Sequence, residues 1–117
     1  MVFSNIRIGL FALLLLAGCS HSRVIKVNVI NSSADKISNI IIDYPSATFG
    51  IRLLAPGKTF QYVIKVTDNG ALKIEFTDAQ GKIKKFAGPA VRKDDEGSIE
   101  IKLTQDAAVA DAKLQQP

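Results

Sequence analysis

The sequence predicts an all-β chain, folded as a two-layer antiparallel β-sandwich of about seven short strands. Three observations carry this. From Val24 onward, β-branched and aromatic residues alternate with polar ones at a period of two, in runs that recur about every ten residues. Each run ends in turn-forming Gly, Pro, Asn, Asp or Ser. And the residues from Cys19 to Pro117 supply enough chain for one core and no second domain.

The elements follow in order. Ile25, Val27 and Val29 alternate with Lys26 and Asn28, a half-buried strand that stops at Asn31-Ser32-Ser33. Ile37 to Tyr44 places Ile40, Ile42 and Tyr44 on one face and Ile41 and Asp43 on the other, which suits a central strand, and Pro45 ends it. Phe49, Ile51 and Leu53 form a short third strand before the turn Ala55-Pro56-Gly57-Lys58. Thr59–Thr67, with Phe60, Tyr62, Ile64 and Val66 on one face, leads through Asp68-Asn69-Gly70 into Ala71–Thr77, and the Asn-Gly pair predicts that the two form an antiparallel hairpin. A second turn at Asp78–Gly81 enters Lys82–Phe86, where alternation breaks and a bulge or early end is expected, closed by Gly88 and Pro89. A loop from Ala90 to Gly97 precedes the last strand, Ser98–Leu103, with Ile99, Ile101 and Leu103 inward. The Ala-rich residues 104–117 read as a flexible or weakly helical tail.

Seven such strands fit an immunoglobulin-like or fibronectin-like sandwich first and a small closed barrel second. The reading is architectural, because the Cys-Trp-Cys core of immunoglobulin domains is absent. With one cysteine no internal disulfide can form, so packing and the strand ladders must hold the domain.

Residues 1–18 differ in kind. A short polar start with one cation, Arg7, precedes the apolar run Ile8–Leu16, closed by the small residues Ala17 and Gly18. That is the layout of a secretory signal. A membrane-spanning helix needs about 20 apolar residues, and this run is broken at Ser20-His21-Ser22-Arg23 before it reaches that length. The closing stretch, Leu16-Ala17-Gly18-Cys19, resembles the lipobox of bacterial lipoproteins. The resemblance, which covers the first twenty residues, implies cleavage before Cys19, a diacylglyceryl thioether on its thiol and acylation of the new amino group; residues 19–23 are then a lipid-anchored tether, and the alternation described above assigns 24–103 to the sandwich. In such lipoproteins an aspartate after the cysteine implies retention at the inner membrane; Ser20 stands there, so the expectation is the periplasmic face of the outer membrane. Two or three acyl chains hold a protein stably where one does not. The alternative for Cys19, a buried core thiol, suits its polar and glycine neighbours poorly.

Without Arg7 the fifteen Lys and Arg fall to fourteen against eleven Asp and Glu, a mild excess of three positive charges. No clustered basic stripe with interleaved aromatics is present, so no nucleic-acid partner is expected. The densest cation group is Lys82, Lys84, Lys85, Arg92 and Lys93. It reads first as lysine protection of an edge strand and second as a contact for anionic lipid or lipopolysaccharide. His21 is the one histidine and has no second His or Cys to join it in a metal shell or a nucleophile–base pair, so it reads as tether. Asp94, Asp95 and Glu96 read as a solvated turn, and their spacing is not that of a calcium loop. Tyr44 and Phe49 flank a short loop and read first as core. No catalytic residue, metal or cofactor is expected, and an enzyme is the least supported class. The expected function is a non-enzymatic binding or scaffold module for another envelope component. The alternatives are a lipid, lipopolysaccharide or cell-wall ligand-binding protein and a hydrolase inhibitor.

Overall fold

The structure is a computed structural model and describes residues 22–117. Eight strands run in chain order: β1 (Ile25–Asn31), β2 (Ile37–Tyr44), β3 (Ala47–Leu54), β4 (Thr59–Ile64), β5 (Gly70–Thr77), β6 (Ile83–Val91), β7 (Glu96–Leu103) and β8 (Ala108–Gln115). They form two four-stranded sheets, ordered β4-β1-β7-β8 and β3-β2-β5-β6. The two sheets face each other as a β-sandwich. The ladders end at four edge strands, so the barrel alternative is excluded. β3 lies against β4 along one side of the sandwich and β6 against β8 along the other.

The period-two pattern fills the core as expected. Ile25, Val27 and Val29 of β1, Ile99, Ile101 and Leu103 of β7, Ile40 and Ile42 of β2, and Leu72, Ile74 and Phe76 of β5 are all buried between the sheets. Fully burying side chains of this size stabilises by about 1.5–3 kcal/mol each. One departure from a purely antiparallel design lies at the centre: β1 and β7 pair in parallel, from Ile25 opposite Gly97 to Asn31 opposite Leu103.

Four local expectations are corrected. The hairpin predicted for Thr59–Thr67 and Ala71–Thr77 does not form. β4 pairs with β1, and β5 pairs with β2 and β6 in the other sheet. The Asn-Gly preference is local and small, whereas crossing between layers buries Val66 completely. The crossover's backbone groups find partners elsewhere: Asp94 N–H donates to the Val66 carbonyl at 2.9 Å, and Thr67 N–H to Ser46 Oγ at 3.1 Å.

The second correction concerns Leu53, which points to solvent while Leu54 is buried. Asn39 adopts a positive φ of 49°, and the β2–β5 register shifts beside it. The resulting bulge turns both Ile37 and Ile40 inward, and their partners Leu54 and Ile51 follow. Third, β6 does not stop before Gly88. It continues to Val91 through a register shift against Ala71–Lys73 that accommodates Pro89, and Gly88 lies so near Leu72 that an added Cβ would stand 2.8 Å from the Leu72 Cβ.

Fourth, the tail is an eighth strand. Ala108, Ala110, Ala112 and Leu114 alternate inward against Leu103, Ile101, Ile99 and Gly97, and Val109, Asp111 and Lys113 face out. Alanine carries a strong helix propensity and little bulk, so its alternation is a faint signal until a partner strand is beside it.

The strand ends are tied by side chains. Asn31, wholly buried, donates from Nδ2 to the Asp35 and Leu54 carbonyls at 2.8 and 2.9 Å and accepts at Oδ1 from Ser33 N–H and Ser33 Oγ. Gly57, at a φ of 74°, donates to the Asn31 carbonyl while Asn31 N–H donates to the Lys58 carbonyl, a glycine bulge that launches β4 beside β1. At the opposite end Arg23 reaches from the entry of β1 to the Asp94 carbonyl (2.8 Å), the Gln115 carbonyl (3.2 Å) and the Glu96 carboxylate (3.1 Å).

Candidate functional site

The two long sides of the sandwich differ in chemistry, and the difference begins with the edge strands' sequences. On the β6–β8 side, β6 carries Lys84, Lys85 and Pro89, and β8 carries Asp111 and Lys113. Lys84 points into the seam between the sheets. Its ammonium lies 3.0 Å from Asp106 and 3.6 Å from Asp78, whose carboxylate is buried at the β5–β6 turn. An inward-facing charge on an edge strand discourages further strand pairing, as do prolines and exposed lysines.

Asp78 also organises its turn by accepting the N–H groups of Gln80 and Lys82, both at 2.9 Å. The Lys82 bond, followed by the Gln80 bond and the Lys84 charge, holds its carboxyl below the ordinary 3.8 against an opposing effect of burial. Hydrogen bonding to Asp106 raises Lys84, with burial opposing and the two carboxylate charges adding. A carboxyl with a lowered folded pKa stabilises above its unfolded value, and that contribution disappears as pH falls through the folded pKa. Acid titration of stability is therefore expected to be steeper in the parent than in Asp78→Asn, with the two curves converging at the acid end. Parallel curves from pH 7 to pH 2 in equilibrium denaturation would show that the carboxylate contributes nothing.

The β3–β4 side carries no such guards. Across the fourteen residues of these strands Arg52 is the one charge, and neither strand contains proline. Leu53, Val63, Tyr62 and Phe60 are 56%, 51%, 41% and 36% exposed. Phe49 and Tyr62 stack with ring centroids 4.3 Å apart, and Phe60 continues the row at 6.5 Å from Tyr62. Behind them, burial and then the neighbouring Tyr62 phenol raise the Tyr44 hydroxyl above the ordinary phenol range. Four of the six aromatic residues in the described chain thus gather here, and Phe76 and Phe86 stack with each other elsewhere. Phe60 and Tyr62 share the inward face with Ile64, as alternation predicts, but the edge position leaves them half open. The signal available in the sequence was an omission: Thr-Phe-Gln-Tyr-Val-Ile lacks the lysines that the β6 and β8 edges carry and the proline of β6.

The five predicted cations do not form one patch. Lys84 is neutralised in the β6–β8 seam, and Lys85 faces the other way, 3.8 Å from Glu75. Lys82 sits in the turn before β6, while Arg92 and Lys93 follow its far end, about 26 Å away along a nine-residue strand. The acidic triplet is a built turn. Asp95 is buried, accepts Arg92 N–H at 2.9 Å and has a second oxygen without a partner, and Asp94 takes a φ of 63° with Lys65 at 3.7 Å from its carboxylate. Among the described residues no group of His, Cys, Asp and Glu is arranged to hold a metal ion, and no helix is long and apolar enough to cross a membrane. Cys19, His21 and the signal stretch lie outside the described residues.

A shallow groove of about 560 Å³ lies on the outer face of the second sheet, lined by Ile41, Asp43, Thr48, Lys73, Glu75 and Lys85 among others. Its charges alternate in sign: Asp43 faces Lys73 across the β2–β5 ladder and Glu75 faces Lys85 across β5–β6. This is the pattern of cross-strand pairs on a solvated sheet face. No family profile, curated protein or solved structure matches the chain.

Proposed function

We propose that the chain is a non-enzymatic binding module of a bacterial envelope, lipid-anchored through Cys19 at the periplasmic face of the outer membrane, which presents its β3–β4 side to another envelope component. The observation that carries this reading is the contrast between the two sides: charges and a proline guard β6 and β8, whereas the β3–β4 side exposes an aromatic and aliphatic row. A bare edge is a template for association, and a stable protein keeps one where a partner covers it. The stretch Leu16-Ala17-Gly18-Cys19 supports the anchor. Arg23 supports a close tether, because its three contacts hold the start of β1 and leave only Ser20, His21 and Ser22 between it and the acylated residue. The four steps from Cys19 to Arg23 span at most about 14 Å. The alternative anionic-ligand reading is weakened by the dispersal of Lys82, Lys84, Lys85, Arg92 and Lys93.

The test uses the full chain expressed in a bacterium with an outer membrane. Palmitate labelling and outer-membrane fractionation are expected for the parent and are expected to be lost together in Cys19→Ala. A photo-crosslinker at position 63 is expected to trap an envelope neighbour, and one at position 85 is not. An unlabelled parent, or the absence of any trapped neighbour at either position, sinks the proposal.

A further inference from the structure

Resting on that reading, we infer that β4 is the receiving strand for β-strand addition, and that the segment it accepts is an extended run of a partner protein with apolar residues on one face and acidic residues at its ends. The backbone assigns the bonds. Asn31 N–H donates to the Lys58 carbonyl, and in an antiparallel ladder hydrogen-bonded pairs alternate with open ones. Val29 with Phe60, Val27 with Tyr62 and Ile25 with Ile64 are therefore the pairs that bond β1 to β4. The peptide groups of Thr59, Gln61 and Val63 point the other way, along the edge of the sheet. Three N–H groups and three carbonyls are thereby presented at the spacing a new strand requires.

The side chains then select the occupant. Apolar residues of an incoming strand on its core-facing side would extend the Phe49, Tyr62 and Phe60 row and cover it. Lys58 and Lys65 bracket β4 at its two ends, with Lys26 beside Val63 on the outer face and Arg52 on β3. The acid paired with one of these four is Asp94, 3.7 Å from Lys65. Acidic residues at the ends of the incoming strand match this charge. A second copy of this chain does not match it: opposed residues of an antiparallel ladder share a face, so self-pairing centres on Gln61 or on Tyr62, and either register brings the Lys58 end of one copy beside the Lys65 end of the other. Like charges brought together across a ladder oppose pairing.

The test uses the full chain in detergent and two synthetic peptides with the same alternating valine–threonine core, one flanked by glutamates and the other by lysines. The glutamate peptide is expected to bind, to slow amide exchange at Thr59, Gln61 and Val63, and to bind about tenfold or more tighter than the lysine peptide. Lys58→Glu with Lys65→Glu should reverse that preference. Gln61→Pro should abolish binding with the fold retained, because it removes an outward N–H that β1 does not use. Failure of the glutamate peptide to bind at millimolar concentration, equal binding of both peptides, unchanged exchange at the three amides, or dimerisation of the chain through those amides would each overturn the inference. In cells, a neighbour still trapped from position 63 in Gln61→Pro would reject strand addition while leaving the binding-module reading intact.

Discussion

Replacing Gly97 by alanine is expected to destabilise the fold by about 2–4 kcal/mol, combining backbone strain with a steric overlap. Gly97 opens β7 at a φ of 143°, a conformation that residues with a Cβ rarely adopt. A Cβ there would overlap the Lys113 carbonyl oxygen of β8 and lie 3.2 Å from the Leu114 Cα. Because Gly97 also pairs with Ile25 on its other side, the strand cannot move away from β8 without disturbing β1. Gly57→Ala is the control. Its φ of 74° is equally unusual for alanine, but nothing lies within 4 Å of the added carbon, so strain alone should cost about 1 kcal/mol. Urea denaturation of both variants, with amide exchange along β8, separates the contributions. If Gly97→Ala cost no more than Gly57→Ala, the close approach of β7 and β8 would not matter to stability.

Asn31→Asp is expected to cost about 3–5 kcal/mol at neutral pH, because it buries a charge without a partner. The amide nitrogen now donates to two carbonyls, and an oxygen in its place would face both. Asn31→Ala should cost less, about 2–3 kcal/mol, since it leaves the Leu54 carbonyl and the Ser33 donors unpaired but adds no charge. The pH dependence distinguishes them. The introduced carboxyl would be raised in the folded state, so the folded chain would bind the proton more readily and Asn31→Asp would recover stability as pH falls toward 4. Asn31→Ala should show no such recovery, and identical pH profiles for the two would contradict the hydrogen-bond assignment.

How far the sequence was legible follows from where its signals are generated. The inward faces of β1, β5 and β7 were readable because alternating isoleucine, valine, leucine and phenylalanine leave one solution, one face against the other sheet. β8 was hidden because Ala108, Ala110 and Ala112 carry the same alternation with too little bulk. The supposed hairpin failed at Asn69-Gly70 because turn preference is a property of four residues, whereas partner choice is decided across the domain by Val66 and by β1. The β3–β4 edge is a property of topology. Phe60 and Tyr62 look like any inward pair until the strand order puts nothing beyond them. The cation group looked compact along the chain because Lys84 and Lys85 are neighbours there, while alternation sends their side chains to opposite faces.

Arg23 and the neighbouring strands together define a path for mechanical load. If Cys19 is held in a bilayer and a strand is held on β4, as proposed above, tension enters the domain at Arg23 and leaves through the β1–β4 ladder. Its hydrogen bonds lie across the line of pull, so they are sheared together and do not open one at a time. β7, parallel to β1 and bonded along its other side, supports the loaded strand over all seven of its residues. Before that ladder takes the load, the Arg23 contacts to Asp94, Glu96 and Gln115 must yield, which makes the entry of β1 the first element to extend under tension.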